Sequence, residues 1–361
     1  MSAAPAVPAV NVYFMLCYAW EWLEALDLVD AGAAETDCLE DLLSKALAEG
    51  TSNLLRRGLD RVYREYEEET RMPRGAVDVA ATVKRQLRSR SMVACTVDQL
   101  SYDFLNNQLI AATLRRMLGA RIDRAIARDL RMVASRFPNV STIDPTPARF
   151  GAVRLHRNAH SYRFILNLCE LLTRRLVPDS RGSGFGFHDV RYDASEMGLL
   201  FQAFVRNFLA REQRYFSVGA EIVQWDRCSW AIDTMRLPVM RTDVSLVSPW
   251  KKVVVETKYT DRVFATSFGG NPKVRSDHLY QLFAYLKNLE VRGGLNASAT
   301  GVLLYGTSGH EVQLRYELGG HELLVVALDL SRDWPGIRAQ LMALIEAHVP
   351  SVGITTSAPA A

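Results

Sequence analysis

Cysteine is scarce in this sequence of 361 residues: five in all, Cys17, Cys38, Cys95, Cys169 and Cys228, with no CxxC pair among them. An odd, scattered set excludes a disulfide framework, a cysteine zinc site and a cysteine-ligated iron–sulfur cluster, and all five are read as buried small hydrophobes. No apolar run approaches the roughly 18 residues of a membrane span. The Ala/Pro-rich start also lacks the basic and apolar regions of a signal peptide, so the expected location is cytoplasmic, away from the membrane. No GxxxxGK[ST] loop is present, which removes P-loop nucleotide hydrolysis by this chain, and no GxSxG elbow supports a serine hydrolase. Gly182, Gly184 and Gly186 neither follow a strand nor open a helix, so they are read as a flexible loop, not a dinucleotide site. His156 and His160 stand at i, i+4 without a nearby acidic ligand and are not read as a metal site.

The chain is long enough for two cores, and 48% hydrophobic with 23% charged residues is ordinary for a globular protein. A net charge of +3 conceals an asymmetry. Residues 1–80 hold 7 Lys/Arg against 15 Asp/Glu, a balance of −8, whereas residues 81–155 hold 13 against 5, a balance of +8. Opposed blocks of this size suit two faces of one domain or contacts with differently charged partners. The start reads as helical through Tyr13, Leu16, Trp20 and Leu23 until Met72-Pro73-Arg74-Gly75 breaks the pattern, with a short strand at Ala76-Val77-Asp78-Val79. From Tyr102 to about Ser135 the period is again helical, interrupted near Gly119, and Arg121, Arg124, Arg128 and Arg131 make a basic stripe. That stripe fits a solvated face, or a surface for phosphates or an acidic partner. Pro138, Pro145 and Pro147 mark a loop-rich approach to a second domain. The division predicted is 1–155, largely helical and partner-engaging, then an α/β domain over 156–350 with a mixed central sheet, and a disordered tail over 351–361.

In the second part, Val239-Met240-Arg241-Thr242-Asp243-Val244-Ser245-Leu246 reads as a strand, residues Ser248 to Lys252 as a turn, and Val253-Val254-Val255-Glu256 as a β-branched strand. Side-chain alternation puts Glu256 and Lys258 on one face and Thr257 on the other. Charges at the end of an apolar strand are costly unless they meet a metal, a partner or solvent. Two carboxylates that hold Mg²⁺, with a lysine to position the nucleophile or offset phosphate charge, are what metal-dependent phosphodiester cleavage uses. An exposed hairpin with an incidental Glu/Lys pair fits this segment equally well. The helix His278 to Leu286 adds Gln281 and Tyr285 on one face at i, i+4. Glu196 opens the amphipathic helix of Met197, Leu200, Phe201, Phe204, Val205, Phe208 and Leu209; it is either a third metal carboxylate or a first-turn acid favoured by the helix dipole. Gly301 to Tyr305 and Glu322 to Leu330 read as strands, and Trp334 to His348 as a closing helix.

Asp243, the twelve residues after it and Glu256-Thr257-Lys258 match the PD-(D/E)xK nuclease pattern, with Thr242 where proline is common. A Gln-x-x-x-Tyr helix after it resembles RecB-type members of that superfamily. More widely, Asn11-Val12-Tyr13-Phe14-Met15-Leu16-Cys17-Tyr18-Ala19-Trp20, Arg136-Phe137-Pro138-Asn139-Val140-Ser141-Thr142, Met240-Arg241-Thr242-Asp243, Leu279-Tyr280-Gln281-Leu282 and Gly301-Val302-Leu303-Leu304-Tyr305 stand in the order of the McrC family, the nuclease subunits of McrBC modified-cytosine (type IV) restriction systems. The similarity runs from about residue 11 to 348. The resemblance implies a C-terminal restriction-endonuclease-like domain and a Mg²⁺-dependent endonuclease acting on double-stranded DNA. It also implies a partner, an McrB-like AAA+ ring that binds GTP and reads the modified base. Asp243, Glu256, Lys258, Gln281 and Tyr285 are then the catalytic set, and Asp243, Glu256 and Glu196 the metal set. Two other readings are a catalytically silent assembly and GTPase-activating subunit, and a stand-alone RecB-type repair exonuclease. The intact acidic pair and lysine stand against the first, and the long N-terminal region against the second.

Overall fold

The computed structural model describes residues 7–23, 26, 38–156, 159–178, 185–226, 236–260, 262–265 and 271–350. They fall into two compact units, one joining the chain up to Leu23 to the chain from Asp189 onward, the other spanning Cys38–His188. The expected boundary at 155/156 therefore lies inside the second unit.

Helix α1 (Ala9–Ala19) belongs to the first unit. Eleven residues are too few for a helix to persist on propensity alone, and α1 has no acid in its first turn and no base in its last. Burial holds it: Tyr13, Met15, Leu16, Cys17 and Tyr18 are buried, and the Tyr18 ring packs edge-on to Phe204 and tilted against Phe208 and Trp334. Asn11 Nδ2 donates to the carbonyls of Leu330 and Arg332.

The Cys38–His188 unit contains α2 (Leu39–Arg57), β1 (Val62–Thr70), β2 (Ala76–Asp78), α3 (Val79–Lys84), β3 (Val93–Ser101), α4 (Leu105–Met117), α5 (Arg124–Arg136), α6 (Pro147–Gly151), α7 (His160–Arg175), β4 (Leu176–Pro178) and β5 (Phe185–Phe187). Helix α7, expected to open the second domain, packs instead on α2 and α4, and Phe164, Ile165, Leu168 and Leu172 are buried along it. The glutamate-rich stretch before Met72 is strand β1, not helix, and pairs antiparallel with β3 from Val62↔Ser101 to Thr70↔Val93. Cross-strand pairing overrides helix propensity here, and the close glutamates are neutralised: Arg85 binds Glu67 and Glu69, and Arg74 binds Glu68 with two nitrogens at 2.6 and 2.5 Å. Residues 179–184 of the expected glycine loop lie outside the described residues, and its flanks pair as β4 and β5. Cys17, Cys95 and Cys169 are buried as expected; Cys38 is half-buried before α2, and Cys228 lies outside the described residues. The tail over 351–361 also lies outside them.

The first unit continues with α8 (Ala194–Glu212), β6 (Ser217–Gly219), β7 (Ile222–Val223), β8 (Met240–Arg241), β9 (Val244–Val247), β10 (Lys252–Tyr259), β11 (Phe264–Ala265), β12 (Lys273–Val274), α9 (Ser276–Glu290), β13 (Thr300–Thr307), β14 (Val312–Leu318), β15 (His321–Asp329) and α10 (Trp334–Glu346). A six-stranded mixed sheet runs β14-β15-β13-β10-β9-β6, with β10, β13 and β15 parallel and the others antiparallel to their neighbours. Central β10 and β13 are near-continuous apolar runs because both faces are covered. On one face α9 lays Leu282, Leu286 and Leu289 against Val254, Leu303 and Val325. On the other, α8 buries Phe201, Phe204 and Phe208.

Two glycines let these helices sit close. A Cβ at Gly306 would stand 3.1 Å from the Phe201 ring, and one at Gly301 would stand 2.8 Å from Leu286 Cδ1 and 3.1 Å from Leu282 Cδ2. Both leucines are fully buried, so Gly301→Ala must push α9 off the sheet; a loss of about 1–3 kcal/mol is expected in urea unfolding. Unchanged stability would show that α9 can shift without penalty. No helix among the described residues is long and apolar enough to cross a membrane.

Candidate active site

Strand β10 ends in Glu256-Thr257-Lys258-Tyr259 at the carboxyl edge of the parallel strands, where side chains of α/β sheets are free to meet a ligand. Residues 239–246, expected as one strand, are broken in two. Met240–Arg241 pairs with β7, Val244–Val247 pairs with β10 up to Val244↔Val255, and Asp243 lies in the bend between them. With β9 peeling away, the Thr257 backbone N–H has no strand carbonyl opposite, and the Asp243 carboxylate takes that place. Asp243 Oδ2 accepts from Thr257 N at 2.8 Å and Thr257 Oγ1 at 2.7 Å, while Oδ1 accepts from Gln202 Nε2 at 2.6 Å.

Glu256 and Lys258 reach the α9 side. Lys258 Nζ donates to Glu256 Oε1 at 2.7 Å and to Gln281 Oε1 at 3.0 Å, and Gln281 Nε2 donates to the Tyr285 hydroxyl at 2.8 Å. Glu256 is only 2% exposed, and its second oxygen, Oε2, is buried without a hydrogen-bond partner. Burial first, then the charge of Asp243, raises the Glu256 carboxyl from 4.5 to about 7, against the opposing pull of Lys258. An orphaned buried carboxylate oxygen and a neighbouring second carboxylate form a donor set suited to a hard divalent cation. Asp243 and Glu256 would hold it.

Hydrogen bonds thus join Glu256, Lys258, Gln281 and Tyr285, Asp243 lies near enough for its charge to act on Glu256 and Tyr285, and Glu196 does not complete a three-carboxylate metal group with Asp243 and Glu256. Among the described residues no group of three or more His, Cys, Asp and Glu side chains could hold a metal. The Glu196 amide donates to the Asp193 cap in the first turn of α8. Gln202 lies six residues further on, roughly 9 Å along the axis and on a different face. So α8 reaches the site through Gln202, which sequence reasoning missed because a glutamine flanking an apolar helix face carries no motif.

A second missed group braces the bend. Lys252, read from sequence as a turn residue, is buried at the start of β10, with Nζ 2.7 Å from Glu221 Oε1 and 2.7 Å from Asn296 Oδ1. Glu221 Oε1 also accepts from Ser245 Oγ at 2.8 Å, and the Glu221 backbone exchanges bonds of 3.0 Å with Thr242, its N–H donating to Thr242 Oγ1 and its carbonyl accepting from Thr242 N–H. The residue before Asp243 is therefore tied on both its backbone and its side chain. Beyond Gln281, His278 Nδ1 lies 3.0 Å from the Tyr305 hydroxyl, and Tyr305 is the register partner of Lys258. Burial lowers the His278 imidazole below its ordinary value.

Comparisons with known proteins agree on one kinship. The chain is 28% identical over 347 residues to the type IV methyl-directed restriction enzyme EcoKMcrBC of Escherichia coli K12, an alignment spanning 96% of this chain and 99% of that one. Its fold matches a chain in the half-complex from the tetradecameric assembly of Thermococcus gammatolerans McrB AAA+ hexamers with bound McrC, with a TM-score of 0.60 and 15% identity over 94% of this chain and 76% of that chain. A family profile described as McrBC 5-methylcytosine restriction system component covers residues 11–306, and with that extent of match the chain belongs to this family.

Proposed function

We propose that this chain is the McrC-like endonuclease subunit of a GTP-dependent restriction complex, with a PD-(D/E)xK site that cuts double-stranded DNA containing modified cytosine. The observation that carries it is the Asp243, Glu256 and Lys258 constellation, two coupled carboxylates with one buried oxygen left unpaired beside a lysine. Mg²⁺ bound there would supply water activation and charge stabilisation at the leaving oxygen. The protein's own part is positional. Thr257 and Gln202 orient Asp243, and burial keeps Glu256 in a low-dielectric pocket. Gln281, itself held by Tyr285, shares the Lys258 ammonium with Glu256 and so aims it where a phosphate would lie. GTP belongs to the partner, an McrB-like AAA+ ring that also reads the modified base, and cytoplasmic action on DNA follows. The test is co-purification with an AAA+ GTPase encoded beside this chain, followed by cleavage of methylated and unmethylated DNA with GTP and Mg²⁺. Cleavage without that partner would favour a stand-alone exonuclease, and GTPase stimulation without cleavage a silent assembly subunit.

Contact with the ring is assigned to the N-terminal part on charge. Arg121, Arg124, Arg128 and Arg131 are all exposed, the last three on α5, opposed to the acidic block of residues 1–80. Exposed charges act mainly on association rate, screened over about 8 Å at physiological salt. Reversing Arg124 and Arg128 to glutamate should slow complex formation roughly tenfold at low salt and flatten its salt dependence, with divalent-cation binding unchanged in the full-length chain. Unaltered association kinetics in stopped flow would assign the stripe to a solvated face.

A further inference from the structure

The Asp243 carboxylate is held unequally. Oδ2 takes two donors from one residue, the N–H and hydroxyl of Thr257, and Thr257 is fixed in the β10–β13 ladder. Oδ1 takes its donor from a different element, the Gln202 amide on α8, at 2.6 Å. Helix α8 cannot slide to relax this bond, because Phe201 and Phe204 on either side of the position are fully buried and Phe201 lies against Gly306 of the sheet. The torsion of the Asp243 carboxylate is therefore set jointly by the sheet and the helix. Position 202 is also the place from which a carboxylate would add a third negative charge beside Asp243 and Glu256, and among the described residues no such third group is present. An apolar side chain there would leave Oδ1 without this donor; an acid would make the site one charge more negative.

We infer that Gln202 is the positioning residue of Asp243 and sets how tightly this site holds a divalent cation. Its neutral amide orients the carboxylate while keeping the acidic count at two. The inference rests on reading Asp243 and Glu256 as a cation-holding pair. A Mg²⁺-type site of one or two carboxylates keeps several waters and binds modestly, and ligand affinity depends on groups that orient the carboxylates. A partner of this kind is worth about 10–100-fold in metal affinity.

The experiment titrates Mn²⁺ by calorimetry into the full-length chain as wild type, Gln202→Leu, Gln202→Glu and Asp243→Asn, with melting in chelator as the control for folding. Wild type should bind and Asp243→Asn should not. Gln202→Leu should bind about 10–100-fold more weakly, and the Mg²⁺ concentration for half-maximal DNA cleavage should rise in the same proportion. Gln202→Glu, nearly the same in shape, should bind at least about tenfold more tightly. It should also melt lower than wild type in chelator and recover on adding Mn²⁺, a crossover that a purely structural role would not produce. Wild-type affinity in both Gln202 variants, with binding lost in Asp243→Asn, would overturn the inference and leave the nuclease reading standing. No Mn²⁺ binding by the wild type at millimolar concentration would overturn both.

Discussion

Asp243→Ala, Glu256→Ala and Lys258→Ala should each lower DNA cleavage by about 10³-fold or more, equivalent to roughly 4 kcal/mol of barrier, while partner binding and GTPase stimulation stay near wild type. The size follows from what each removal leaves behind. Without Asp243 the Thr257 donors and the Gln202 amide converge on nothing, and without Glu256 the Lys258 ammonium keeps only the neutral Gln281 acceptor. On the proposed mechanism Lys258 meets charge that develops at phosphate, so its loss should fall on the rate and not on DNA affinity. Because the three act as a unit, the Asp243/Glu256 double variant should be no slower than either single one. Cleavage and GTP turnover measured on the same complex separate the readings. Variants that lose both activities while remaining folded would show that nuclease and ring functions are not carried by different parts of the chain.

A second large effect runs in the opposite direction. Glu256→Gln, inactive as a nuclease, should be more stable than wild type at pH 8 in the absence of divalent cations. In the folded protein the carboxyl titrates near about 7 against an ordinary 4.5, chiefly from burial and then from Asp243. Below pH 4.5 it is protonated in both states and contributes its full share of stability. Between 4.5 and 7 the unfolded chain ionises while the folded one resists, so stability falls as pH rises, and above 7 the deficit is constant. The gap corresponds to roughly 3 kcal/mol at 1.36 kcal/mol per pH unit, an upper figure because Lys258 also loses a charged partner in the variant. Urea unfolding in chelator should show the two proteins converging at pH 4 and separated by about 1–3 kcal/mol at pH 8. Mg²⁺ should close the gap by stabilising the wild type alone. A variant no more stable than wild type at pH 8 would refute the buried-charge account of Glu256.

What could be read from sequence was what is local. Glu256, Lys258, Gln281 and Tyr285 come together through strand alternation at i, i+2 and helical spacing at i, i+4, both visible in a window of a few residues. The breaks in the reading occur where distant partners decide. Val62–Thr70 is rich in helix-forming glutamate and became a strand because β3, some thirty residues on, pairs along its whole length. Residues 239–246 carry no breaker, yet the ladder splits at Asp243 because Glu221 captures Thr242 and Ser245 from outside the hairpin. Gln202 and Lys252 acquire their roles only across the sheet, Gln202 through a residue 41 positions away and Lys252 through one 31 positions away. Glu196 was attractive for its charge, but three-dimensional phase around α8 gives the approach to Asp243 to an uncharged neighbour instead.

The placement of α1 has a consequence for biosynthesis. Its aromatic partners Phe204, Phe208 and Trp334 leave the ribosome long after it does. At about 5–20 residues per second, the three hundred or so residues from Ala19 to Trp334 take roughly 15–60 s to translate. Throughout that interval an apolar helix waits without its berth, while the whole Cys38–His188 unit can be completed in between. The first unit is therefore completed last, after the Cys38–His188 unit has been synthesised between its two parts.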